Sequence, residues 1–81
     1  MMRQQTVESF RSYDRTWEEI EGMLDDAVFK QRNWRNIYES AQRKGDRDTM
    51  KDAARNHKAL EGVIKTLRWT LGEQGVTTPL E

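Results

Sequence analysis

His57 is the single histidine of the chain, and Glu61 follows it one helical turn later. On one helix face the two would offer a metal an imidazole nitrogen and a carboxylate. Two ligands do not hold a metal ion, and no third residue stands at a matching spacing, so no metal site is expected. The adjacent acids Asp25-Asp26 and the triplet Asp46-Arg47-Asp48 raise the question of paired-carboxylate catalysis. Neither group has a base or a nucleophile beside it, and helix capping and solvation account for both. The chain has no cysteine and no glycine-rich phosphate loop, and no cleft of substrate size is expected. A non-enzymatic protein without a cofactor is the reading these residues support.

Binding chemistry has more to work with. Arg43, Lys44, Arg47, Lys51 and Arg55 gather near the middle of the chain, where they could meet phosphates. Trp34 and Tyr38 could stack on bases, but both fall on an inward-facing stripe, and acids are interleaved with the cations. Nucleic acid is therefore the second choice of partner. Phe29 and Trp69 point away from that stripe, and Trp69 is the first choice for a contact with another protein.

The elements that position these residues are two heptad-patterned stretches. Trp17, Ile20, Leu24, Ala27, Gln31, Trp34, Tyr38 and Ala41 alternate at spacings of three and four, the a and d positions of a helical seam. Met50, Ala53, His57, Leu60, Ile64, Leu67 and Leu71 repeat the pattern beyond Gly45-Asp46. Two helices joined by so short a turn run antiparallel. Folding about Gly45-Asp46 sets Ala41 against Met50, Tyr38 against Ala53, Trp34 against His57 and Ala27 against Ile64, so that large side chains tend to meet small ones. His57 is then a seam residue stacked on Trp34. With Gln31 it would fix register and oligomeric state, as a polar a residue does elsewhere.

The expected fold is all-α, a single coiled-coil-like helical hairpin: a helix over about 7–44, a turn at 45–46, a helix over about 47–71 and a tail over 72–81. Phe10 and Tyr13 keep the heptad phase, which favours one continuous first helix of about 55 Å at ~1.5 Å per residue. The competing reading is a short helix that stops near Tyr13 and a restart at Thr16, where Thr16-Trp17-Glu18-Glu19 has the pattern of a capping box. Gly45 suits the end of the first helix and Asp46 the cap of the second. Val76 and Leu80 are expected to fold back over Tyr13 and Trp17, although Leu80-Glu81 also match the scar that precedes a purification tag.

Apolar residues outside the seam call for a partner. Met23, Ile37 and Val63 occupy g positions, which share one side of an antiparallel pair, and Ala59, Gly62, Thr66 and Thr70 continue that side with small side chains. The opposite, e side carries Glu21, Arg35, Glu61 and Arg68, with Glu21 and Arg68 expected to pair. A second copy docked on the g side would make a dimeric, antiparallel four-helix bundle. Homo-oligomerisation is therefore expected, with Phe29 and Trp69 left for a further partner.

Eighty-one residues allow one domain with a modest core, and 35% charged residues against 35% hydrophobic suit exposed helices that gain from association. Residues 8–29 hold seven acids against two bases, whereas residues 30–58 hold nine bases against four acids. In a hairpin this makes the open end acidic and the turn end basic. No apolar run follows Met1, so neither a signal peptide nor a membrane span is expected, and the cytoplasm is the expected compartment.

The segment from Ala53-Ala54-Arg55-Asn56 through Lys58-Ala59-Leu60-Glu61-Gly62-Val63-Ile64-Lys65 to Leu67-Arg68-Trp69-Thr70-Leu71-Gly72 resembles the C-terminal helix of small proteins encoded in actinobacterial phage and prophage genomes. The likeness covers the second half of the chain. It implies a viral origin and action inside a bacterial host, on a host or phage protein, and carries no functional residues across.

Overall fold

The computed structural model describes residues 10–81. Among these, the architecture is two helices packed against each other, α1 (Trp17–Lys44) and α2 (Arg47–Thr70), with no strand. The heptad stripe is the packed stripe. Every seam residue from Ile20 to Ala41 and from Met50 to Leu71 is buried or half-buried, while their immediate neighbours in sequence are mostly exposed. Ala27, Ala41, Ala53 and Ile64 form the buried core. Three of the four are alanines at positions expected to face Ile64, Met50 and Tyr38, as close approach of two backbones requires.

The turn is set by one glycine and one aspartate. Gly45 adopts a left-handed conformation (φ 71°), and its N–H donates to the Gln42 carbonyl at 3.2 Å. The Asp46 N–H reaches the Ala41 carbonyl at 2.9 Å, which completes a Schellman motif. Asp46 then opens α2: its carboxylate accepts from the Thr49 N–H at 3.2 Å and from the Thr49 hydroxyl at 2.7 Å. One residue thus closes the first helix through its backbone and starts the second through its side chain.

The first helix begins later than the continuous seam predicts. Thr16 is extended (φ −80°, ψ 158°) and caps α1 through a reciprocal box: the Glu19 N–H donates to Thr16 Oγ1 at 3.0 Å, and the Thr16 N–H donates to Glu19 Oε1 at 2.8 Å. Residues 11–16 are not helical, and Tyr13 takes a left-handed φ of 58°. The expected start near residue 7 lies outside the described residues, but a helix through residues 10–16 is excluded. The physical reason is the length of α2. It ends at Thr70, so Phe10 and Tyr13 would have no partner helix to bury against, and both are largely exposed. Without burial to reward continuation, the capping box sets the boundary.

Both caps depend on ionised carboxylates. Hydrogen bonds from the Thr49 hydroxyl and N–H lower the Asp46 pKa below its ordinary 3.8, with a smaller contribution from Lys44. The Thr16 N–H lowers the Glu19 pKa below 4.5, aided by Arg15. A carboxyl whose pKa is depressed by folding stabilises the fold above its ordinary value and loses that contribution as pH falls through the folded value. Helicity is therefore expected to decline on acidification below about pH 4. Far-ultraviolet ellipticity against pH tests this, and Asp46→Asn should flatten the acid limb without abolishing the hairpin. An unchanged limb in that variant would remove Asp46 as its cause.

α2 also closes with a Schellman turn. Gly72 (φ 75°) donates to the Trp69 carbonyl and Glu73 to the Arg68 carbonyl, both at 3.0 Å. The tail then turns onto the e side. Val76 is half-buried and lines one cavity with Val28 and Ile64, whereas Leu80, Tyr13 and Trp17 remain exposed at 92%, 74% and 66%. The expected cover of Tyr13 and Trp17 by Val76 and Leu80 is not formed.

Candidate interaction surface

The g side is apolar and open. Met23 is 56%, Ile37 39% and Val63 43% exposed, and Ala59, Gly62, Thr66 and Thr70 are exposed as well. The two threonines are satisfied within their own helix. The Thr66 hydroxyl donates to the Gly62 carbonyl and the Thr70 hydroxyl to the Thr66 carbonyl, both at 2.9 Å. Burial of this side would therefore strand neither hydroxyl, and the penalty for covering an unpaired donor does not arise. Phe29 and Trp69, 59% and 49% exposed, occupy the outer flanks of the two helices.

The e side is grooved rather than flat, with charged side chains standing around apolar surface. The larger cavity, about 550 Å³, is lined by Arg35, Tyr38, Ala54, His57, Lys58 and Glu61, among others. A second of about 430 Å³ continues it past Gln31, Ile64 and Arg68 to Val76. Such volumes were not expected from the sequence. Their cause is legible there in retrospect: the polar seam residues Gln31 and His57, with the small Ala54 beside them, leave the e edge of the seam open. Glu61 is held by Lys58 at 3.1 Å, and Arg68 by Glu73 at 3.7 Å. The expected Glu21–Arg68 pair is absent, because the tail delivers a nearer acid. Among the described residues no cluster of three His, Asp or Glu side chains is placed to hold a metal ion. The grooves offer hydrogen bonds and charge to a ligand, with no nucleophile aligned on a base.

The cations at the turn end are all available. Arg43, Lys44, Arg47, Lys51 and Arg55 are exposed, and none joins the ion pairs among the described residues. Asp48 does not pair with Lys51. Beside them lies a shallow cavity of about 340 Å³ with Tyr38, Met50 and Ala54 as its apolar floor and Arg47 and Lys51 on its rim. The acids of the open end are equally free: Glu18, Glu21, Asp25 and Asp26 are exposed and unpaired among the described residues. Glu19 in that stretch does have an ionic partner, Arg15 at 3.7 Å.

Neither described helix is long and apolar enough to cross a membrane. No protein-family model, curated protein or solved structure matches the chain.

Proposed function

We propose that this chain is a non-enzymatic assembly protein, working as a homodimer in which two hairpins meet across their g sides as an antiparallel four-helix bundle. The observation that carries this reading is the imbalance between what the hairpin buries and what it leaves out. Among the described residues four form the core, three of them alanines, and Met23, Ile37 and Val63 stand exposed on one side. A two-helix unit with so small a core gains little from its own packing, and a second copy supplies the missing layer. The internally bonded Thr66 and Thr70 hydroxyls make that side fit for burial. Phe29 and Trp69 stay at the margins of such a bundle, available to a host or phage protein in the bacterial cytoplasm.

Light scattering across a concentration series tests the assembly. At a salt concentration that screens contacts between exposed charges, the wild type is expected to be dimeric and Val63→Glu monomeric, because the added carboxylate would be buried unpaired in the interface. Val63 is 43% exposed in the single hairpin, so the substitution should leave monomer helicity intact. A wild type that stays monomeric at every concentration, or a Val63→Glu variant that assembles like the wild type, would overturn the g-side dimer. A second reading, an accessory factor on nucleic acid, is favoured by the five cations of the turn end, which have no ionic partner among the described residues.

A further inference from the structure

The two ends of the hairpin are complementary, and we infer that they bind each other: the open end of one copy, Trp17 with Glu18 and Glu21, seats on the Tyr38–Met50–Ala54 cavity of the next beneath Arg47 and Lys51. The contact is separate from the g-side dimer and joins copies end to end.

Three observations meet here. The first is unspent charge of opposite sign, since neither Glu18 and Glu21 of α1 nor Arg47 and Lys51 of α2 have an ionic partner among the described residues. Sorting of this kind steers two copies into a head-to-tail encounter and rejects head-to-head ones, where like charges would face each other. The second is shape. Trp17, 66% exposed, is a large apolar side chain flanked by carboxylates, and the turn end holds an apolar-floored cavity of about 340 Å³ rimmed by two cations. An indole in that cavity would bring Glu18 and Glu21 toward Arg47 and Lys51, and Lys51 or Arg47 toward the ring face. The third is Thr16. The capping box fixes the first turn of α1 and so presents Trp17 and its acids on a rigid helix end.

The geometry also chooses between closure and propagation. A reciprocal contact, each e side lying along the other, would run into the tail, whose Val76 lines one cavity on that side with Val28 and Ile64. Only the ends are free to overlap. A contact between unlike surfaces that does not close on itself repeats, so the product is an open chain of hairpins, or of hairpin dimers.

Sedimentation velocity of the full chain at low and moderate salt is the test, with far-ultraviolet ellipticity to confirm that each variant is folded. The wild type is expected to form species larger than a dimer at low salt, and to lose them as salt screens the contact. Arg47→Glu with Lys51→Glu should remove the larger species, and so should Glu18→Lys with Glu21→Lys. An equal mixture of the two double variants should restore them, because each then meets an end of opposite charge. Trp17→Ser should weaken the chain without altering its sign of salt dependence. Val63→Glu leaves this contact in place, so loss of the g-side dimer and loss of end-to-end growth are read independently. The proposal fails if the wild type never exceeds a dimer, if the charge variants assemble like the wild type, or if the mixture stays dispersed. It fails in favour of the nucleic-acid reading if a fluorescent single-stranded oligonucleotide binds the wild type and is lost with Arg47→Glu and Lys51→Glu while the sedimentation profile is unchanged.

Discussion

Replacement of Ile64 by alanine is expected to destabilise the hairpin by about 2–5 kcal/mol, the range for removing a buried branched aliphatic side chain and leaving part of its volume empty. Ile64 is 5% exposed and is the one large side chain among the four buried residues; the others are alanines. Small domains are stable by only about 5–15 kcal/mol, and one with so thin a core belongs at the bottom of that range. The variant should therefore keep no more than about 3 kcal/mol of stability, seen as a urea midpoint far below that of the wild type. Ile64→Val should cost about 0.5–1.5 kcal/mol. Val63→Ala, one position along and 43% exposed, should change the single hairpin by no more than about 0.5 kcal/mol. The contrast must be measured in dilute solution, because self-association would add a concentration-dependent term to the apparent stability of each variant. Equal effects at 63 and 64 would mean that the seam is not the stability-determining surface.

Adjacent residues with such different consequences illustrate what the sequence makes legible. Between Ile20 and Leu71 each helix finds its partner within the same chain, so the three-four spacing of apolar residues constrains both surfaces at once and the expected seam is the one that packs, whereas Trp17, at its outer end, stays 66% exposed. The Gly45-Asp46 turn was equally plain, because Schellman closure and N-capping each demand a particular residue type at a particular place. The same periodicity misleads beyond Trp17. Phe10 and Tyr13 keep the heptad phase, but α2 ends at Thr70 and gives them nothing to pack on, so Thr16 and Glu19 decide the boundary locally. Periodicity has no purchase on the tail either. Where Glu73 and Val76 go depends on the direction in which the chain leaves Gly72, and that direction converts Arg68 from an expected partner of Glu21 to a partner of Glu73. The e-side groove is not legible for a related reason: pairing a residues with d residues tests whether a seam is filled at its centre line, not whether Gln31, His57 and Ala54 close its edge.

The turn offers a sharper test, in which one chemical change has opposite signs at two sites. Gly45→Ala is expected to cost about 1–2 kcal/mol, because an L-residue with a Cβ pays that penalty in the left-handed region that Gly45 occupies at φ 71°. Gly22→Ala is expected to stabilise by about 0.5–1 kcal/mol, since Gly22 lies inside α1, where alanine loses less chain entropy on folding and shields the backbone better. Packing cannot explain either result. A Cβ added at either glycine meets no atom within 4 Å, so the difference comes from backbone conformation alone. Asparagine tolerates the left-handed region better than alanine, and Gly45→Asn should recover part of the loss. The two sites share no partners, so the Gly22→Ala, Gly45→Ala double variant should show the sum of the single effects. Thermal midpoints of the four proteins at one low concentration provide the measurement. Were Gly45→Ala neutral, the left-handed residue would not be what turns α1 into α2, and the carbonyls of Ala41 and Gln42 would have to be satisfied by another geometry than the bonds from Asp46 and Gly45.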